Sequence, residues 1–152
     1  MTTRRETLKH SAVLAGLLGA TGLFPLYASA AFNKSAFEAK SLAEAYKALG
    51  LAAPVESASV SLQAPDIAEN GAVVPVGATT TLSGVKQILF LVEKNPTALI
   101  AVFNLSDSVD AAISTRTKMG QSSDVYAVAV MNDGKVLYAK KEVKVTLGGC
   151  GG

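Results

Sequence analysis

Histidine and cysteine are almost missing from this sequence and tryptophan is missing altogether: His10 and Cys150 are the single examples of their kinds in 152 residues. His10 falls in an N-terminal stretch that reads as a removable leader, so residues 31–152 hold no imidazole. That excludes a Ser-His-Asp or Cys-His catalytic arrangement built within this chain, and a zinc site made of histidines or of four cysteines. The glycines are dispersed or gathered at the end, and neither a phosphate-binding loop nor a dinucleotide fingerprint is formed. Charge of one sign is also scarce. Of 14 basic and 12 acidic residues, Arg4, Arg5, Lys9 and Glu6 belong to the leader, which leaves 11 of each. A net charge near zero with no run of lysine or arginine gives no support for nucleic-acid binding.

The leader is read from Thr3-Arg4-Arg5-Glu6-Thr7-Leu8-Lys9, an apolar run from about Ala12 to Leu26, and Ala28-Ser29-Ala30 as a small-residue cleavage site. These make residues 1–30 an expected export signal. The paired arginines resemble the twin-arginine class, whose cargo crosses the membrane folded, although Thr7 stands where that motif usually has phenylalanine. Gly16, Gly19, Gly22 and Pro25 interrupt an apolar run shorter than the ~20 residues of a confident span, and no lipobox cysteine follows. The expectation is a periplasmic protein without a membrane anchor.

What is present, in place of histidine chemistry, is one thiol in an unusual setting. Gly148-Gly149-Cys150-Gly151-Gly152 puts the sole cysteine between two glycine pairs. Four residues without Cβ favour a flexible arm, and an extended chain of five residues reaches on the order of 10–15 Å. A thiol without bulky neighbours can enter a narrow active site, which suits a covalent carrier better than an enzyme with a fixed nucleophile. Glycine-rich ends also fray in solvent without function; the cysteine at the centre favours the carrier. One cysteine makes no internal disulfide, so in an oxidising compartment it pairs with a second copy, another subunit or a small sulfur species, or stays reactive. An ordinary thiol, with pKa near ~8.5, is only a few per cent thiolate at neutral pH. The nearest cation along the chain is Lys144, and the Gly152 carboxylate opposes a thiolate, so activation is expected from the enzyme that receives the arm. Two other readings stay open here. The Gly152 carboxylate could carry sulfur as in ubiquitin-like carriers, or Cys150 could tie a structural adhesion module through an intermolecular disulfide.

The remaining ~120 residues are enough for one domain. Ser41-Leu42-Ala43-Glu44 fits a capping box, Leu42, Ala45, Tyr46 and Leu49 recur at helical spacing, and Gly50 is a stop; Ser35-Ala36-Phe37-Glu38 offers an earlier start. From Val60 the period becomes that of strands. Val60, Leu62 and Ala64 alternate with polar residues, Asn70-Gly71 is a turn, and Ala72–Val76 opens a run that Pro75 assigns to an edge or irregular strand. Gln87–Val92 reads as buried, followed by Ala98–Asn104, Ala111–Met119 and Val125–Met131. Asn132-Asp133-Gly134 turns onto Lys135–Ala139, and Glu142–Leu147 is a separate last strand with Val143, Val145 and Leu147 on one face. Roughly seven short strands predict a mainly β fold, an immunoglobulin-like antiparallel sandwich over residues 31–147 with an N-terminal helix and a flexible arm at 148–152.

Three segments resemble one family. Val143-Lys144-Val145-Thr146-Leu147-Gly148-Gly149-Cys150-Gly151-Gly152, Glu69-Asn70-Gly71-Ala72-Val73-Val74-Pro75-Val76 and Met131-Asn132-Asp133-Gly134 are similar to the SoxY subunit of the bacterial thiosulfate-oxidising system. The resemblance implies a non-catalytic subunit without cofactor or metal, paired with SoxZ, a small β-sandwich protein. It implies that Cys150 is joined oxidatively to thiosulfate by SoxXA, a haem enzyme. SoxB then releases sulfate by hydrolysis, SoxCD, where present, oxidises the remaining sulfane sulfur, and a second hydrolysis restores the thiol. This agrees with a chain that offers one nucleophile and no partner base, metal site or cofactor cradle.

Overall fold

The computed structural model describes residues 33–146; the expected export signal and the Gly-Gly-Cys-Gly-Gly segment lie outside the described residues. Among the described residues two short helices come first, α1 (Lys34–Phe37) and α2 (Leu42–Ala48). Ser41 caps α2 by accepting the Glu44 N–H at 3.2 Å, and the Glu44 carboxylate accepts the Lys40 N–H at 2.9 Å. The expected capping box is therefore formed, with its return bond one residue earlier than the usual partner. Gly50, at φ +65°, ends the helix: the Leu51 N–H reaches the Tyr46 carbonyl at 2.9 Å and the Gly50 N–H that of Lys47 at 3.0 Å. That pair of bonds needs a left-handed residue at this position, which is why the stop is glycine.

Nine strands follow among the described residues: β1 (Val55–Glu56), β2 (Val60–Gln63), β3 (Ile67–Ala68), β4 (Val74–Thr80), β5 (Val85–Val92), β6 (Leu99–Asn104), β7 (Ala112–Thr117), β8 (Ser123–Met131) and β9 (Val136–Val145). One sheet has the order β1-β9-β8-β5-β6 with β3 also paired to β9; the other is β2-β4-β7. The two stack face to face around Val76, Ile88, Phe90, Val125, Ala127 and Val143, all buried. On its other face the large sheet packs Leu89, Leu91, Leu99, Val128 and Val130 against Ala36, Ala45 and Tyr46 of the helices. Hence β5 is covered on both faces, and its sequence Ile88-Leu89-Phe90-Leu91-Val92 loses the alternation of a half-buried strand. The helical stripe that includes Ala45 and Tyr46 is packing, as expected.

The immunoglobulin-like sandwich stands, with three differences in detail. Lys135–Ala139 and Glu142–Leu147 are not two strands: β9 is continuous from Val136 to Val145. The expected gap at Lys140-Lys141 is absent: Leu137, Ala139, Lys141, Val143 and Val145 share the face toward the smaller sheet. Lys141 stays in that row by donating to the Ala64 carbonyl at 2.7 Å and pairing with Asp66 at 2.9 Å. The run opened at Ala72 begins at Val74 and extends to Thr80, paired on both sides. β2 pairs only with Gly77 to Thr80, so Pro75 sits where β4 is paired on the β7 side alone and is locally an edge. Finally, the sandwich is not wholly antiparallel, since β1 and β3 run parallel to β9. These two pieces and the Lys141 contacts cover the outer edge of β9. At the opposite edge of the sheet, β6 has the uncharged sequence Leu99-Ile100-Ala101-Val102-Phe103-Asn104 and no paired neighbour beyond it among the described residues.

Tyr46, only 9% exposed beneath the large sheet, has its phenol pushed up from 10.0 to about 12, chiefly by burial and then by Tyr126 and Tyr138. The folded chain thus holds this proton where the unfolded chain releases it, a contribution complete below pH 10 and lost as pH rises toward 12. Alkaline unfolding followed by circular dichroism should therefore steepen between those values, and Tyr46→Phe should flatten that slope.

Candidate functional site

The carrier residues expected from the sequence, Cys150 with Gly148, Gly149, Gly151 and Gly152, lie outside the described residues. What the structure defines is the platform from which they depart. The last described residue, Thr146, directly follows β9, and the three residues before the departure are held from both sides. The Lys144 N–H donates to the Asp66 carbonyl at 3.0 Å and the Thr146 N–H to the Ala68 carbonyl at 3.1 Å. Between them the Val145 N–H turns the other way and donates to the Ser122 hydroxyl at 2.9 Å. Alternation along the strand requires these two directions, and the parallel pairing of Ile67 and Ala68 with Lys144 and Val145 provides one of them.

Gly71 completes the platform. Its carbonyl accepts the Met119 N–H at 2.7 Å. A Cβ on Gly71 would collide with the Met119 carbonyl and stand 2.8 Å from Val145 Cγ1. The sequence signalled a turn at Asn70-Gly71, and the turn is there: Asn70 Oδ1 accepts the Ala72 N–H at 2.9 Å. Close approach to β9 is a second requirement that only the packing reveals. Gly71→Val should lower stability by about 1–3 kcal/mol through overpacking of backbone against Val145, read as a lower midpoint in urea unfolding.

The loops at this end are tied to one another. The Asn95 amide donates to the Lys118 carbonyl at 2.7 Å, its oxygen accepts the Gly120 N–H at 3.4 Å, and Gln121 donates to the Lys94 carbonyl at 3.2 Å. Ser123 Oγ accepts the Lys94 N–H at 3.0 Å. Nearby on β8 and β9, Lys140 pairs with Asp124 at 3.0 Å, and that hydrogen bond is the first cause of its raised pKa. Tyr126 is raised as well, by burial first and then by the Glu93 carboxylate. Among the described residues no three His, Cys, Asp or Glu side chains converge on one point.

Of the segments that carried the resemblance, Glu69–Val76 is brought to the departure point. Met131–Gly134 is not. It forms the hairpin before β9, with the Met131 N–H donating to Lys135 at 2.9 Å and Gly134 at φ +87°. That hairpin lies a strand's length from Val145, on the order of 30 Å for ten residues. Ser122 and Ala68 carried no signal of their own in the sequence, because their roles arise from a short polar side chain and a backbone group that many loops contain.

The family model described as the sulfur oxidation protein SoxY matches residues 45–150, which takes in most of the folded domain and reaches Cys150. Among solved structures, the sulfur carrier protein SoxY from Chlorobium limicola f thiosulfatophilum is 31% identical, with a TM-score of 0.60 over 67% of this chain and 92% of its own. A superoxide reductase (neelaredoxin) from Ignicoccus hospitalis, 16% identical with a TM-score of 0.52 over 58% of this chain and 80% of its own, shares the fold alone. No curated protein matches the sequence. A family match through the only cysteine, on a sandwich shared with a SoxY structure, makes this chain a member of the SoxY family of sulfur oxidation proteins.

Proposed function

We propose that this chain carries sulfur covalently on Cys150 during the oxidation of thiosulfate to sulfate in the periplasm. The observation that carries the reading is the family match running through the sole cysteine, which follows a strand end held by the Asp66, Ala68 and Ser122 bonds. Loading forms an S–S bond between Cys150 Sγ and the outer sulfur of thiosulfate. The thiol gives up a proton, and two electrons pass to the haem of a SoxXA-type enzyme. Hydrolysis by a SoxB-type enzyme adds water across the terminal bond, releases sulfate and leaves a persulfide on Cys150. A SoxCD-type dehydrogenase removes six electrons from that sulfur while water supplies three oxygens, and a second hydrolysis returns sulfate and the free thiol. In each step this chain contributes the sulfur atom and its presentation, and the enzymes contribute the catalytic groups.

Export rests on the signal reading of residues 1–30, and the division into signal, sandwich and arm rests on the same reading. The test of the carrier is mass spectrometry of the protein after incubation with thiosulfate and the loading enzyme. The added mass should fall on the peptide at Cys150 and be removed by reductant; mass on the Gly152 carboxylate would replace this reading with a thiocarboxylate carrier.

Association with a SoxZ-like second subunit is the expected resting state, and the uncharged β6 edge, which lacks the lysines and prolines that usually guard such edges, supports pairing through strands. Co-purification should persist in reductant. Separation by reductant alone would mean that only a Cys150 disulfide joins the two.

A further inference from the structure

We infer that Asn70 is a covalent modification site, at which the folded chain deamidates without an enzyme through attack by its own Gly71 nitrogen. The inference is independent of what Cys150 carries. The Gly71 nitrogen gives up its proton and bonds to Asn70 Cγ, and the former Nδ2 leaves as ammonia, so that a five-membered succinimide ring remains. Water then opens the ring on one side to aspartate or on the other to isoaspartate, in which the main chain runs through the side-chain carbons. No oxidant or reductant is needed, one reason asparagine counts among the thermolabile residues.

The chain has five asparagines, and four are guarded. Asn95 precedes Pro96, which has no N–H to give up. The Leu105 N–H that follows Asn104 is held by the Lys86 carbonyl at 2.9 Å. Asn33 has its Nδ2 held by the Ala48 carbonyl at 2.8 Å and its Oδ1 turned to the Ala36 N–H, three residues on, at 3.1 Å. After Asn132 comes Asp133, whose Cβ crowds the approach and whose carboxylate opposes a negative nitrogen. Asn70 has none of these guards. It is exposed, and the next residue is the one kind without a Cβ. Asn70 Oδ1 accepts the Ala72 N–H at 2.9 Å, which folds the carboxamide back along the Gly71 peptide and draws electrons from Cγ, the atom to be attacked. Among the described residues neither the Gly71 N–H nor Asn70 Nδ2 meets an acceptor, so nucleophile and leaving group are both free.

The two products differ in what they do to the fold. Aspartate keeps the length of the main chain and the acceptor for Ala72. Isoaspartate adds one carbon beside Gly71, where even a Cβ collides with the Met119 carbonyl and stands 2.8 Å from Val145 Cγ1. The turn is also closed by the Val73 N–H on the Asn70 carbonyl at 3.3 Å and by the Met119 N–H on the Gly71 carbonyl at 2.7 Å, which leaves no slack. Isoaspartate at this position therefore strains the last residue of β9.

The test incubates the full folded chain in warm, mildly alkaline buffer and follows ammonia release and peptide masses over days. The mass change from amide to acid should appear on the Asn70 peptide about tenfold or more faster than at any of the other four asparagines, a barrier lower by about 1.4 kcal/mol. The rate should rise with pH, because the Gly71 nitrogen must lose its proton. Asn70→Ser, whose hydroxyl can accept the same Ala72 N–H, should remove this ammonia and keep the urea midpoint. Fragmentation at the N–Cα bond separates isoaspartate from aspartate; the isoaspartate form should unfold at lower urea than the parent, and Asn70→Asp should not. Release from Asn70 no faster than from the other four, or seen only after denaturation, would overturn the modification site. Isoaspartate with the parent's midpoint would overturn the strain on β9.

Discussion

Cys150→Ser should abolish thiosulfate-dependent sulfur oxidation in a reconstituted system while leaving the fold and the association with a second subunit in place. An alcohol oxygen forms no stable bond to sulfane sulfur under these conditions, and no other thiol exists in the chain to take over. Among the described residues both buried clusters lie between Ala36 and Val145, and the carrier reading puts Cys150 on an arm outside them. Stability should therefore change by no more than about 0.5 kcal/mol, the usual range for surface positions. Thermal unfolding and sulfate release measure the two halves separately. Undiminished sulfate release would sink the carrier; a large fall in stability would show that Cys150 packs into the domain.

The second large effect is expected from Gly149→Val together with Gly151→Val. These changes keep the thiol and put branched bulk on each side of it. If the sulfur is read within a narrow channel, the channel walls meet the new methyl groups before the sulfur reaches the reacting centre. A displacement of about 1 Å there costs on the order of 10²-fold in rate. Turnover by the loading and hydrolysing enzymes should fall by that order, whereas labelling by a small alkylating agent should remain near normal. Equal turnover in the variant and the parent would show that the thiol is read at the surface and that the glycines are incidental.

Much of the fold was legible in local signals. The α2 cap at Ser41 and its stop at Gly50 are properties of a few adjacent residues, and the structure forms both. The turn at Asn132-Asp133-Gly134 and the buried run in β5 were equally plain. The misreadings have a common origin. The reading leaves Lys140-Lys141 as a gap between Lys135–Ala139 and Glu142–Leu147, whereas Lys141 keeps its place in the inward row of β9 by meeting Ala64 and Asp66, more than 70 residues earlier in the chain. β4 was cut short because Gly77-Ala78-Thr79-Thr80 has little strand preference of its own; pairing to β2 and β7 supplies it. β1 and β3, two residues each, have no period to read and exist because β9 offers an edge.

Chemistry followed a similar division. The sequence alone pointed to the Cys150 sulfur as the atom to carry a covalent intermediate, because it is the single cysteine, with the Gly152 carboxylate as the alternative. It also determined the sandwich as a class, since alternation and turn residues are local. Only the tertiary structure decided what surrounds the point where the carrier segment leaves the domain. Ala68, Gly71, Met119 and Ser122 are dispersed along the chain and acquire a shared role through strand pairing and close approach to Val145. Contacts of that kind depend on register between distant segments, and a one-residue slip would turn Ile67 inward and Ala68 outward.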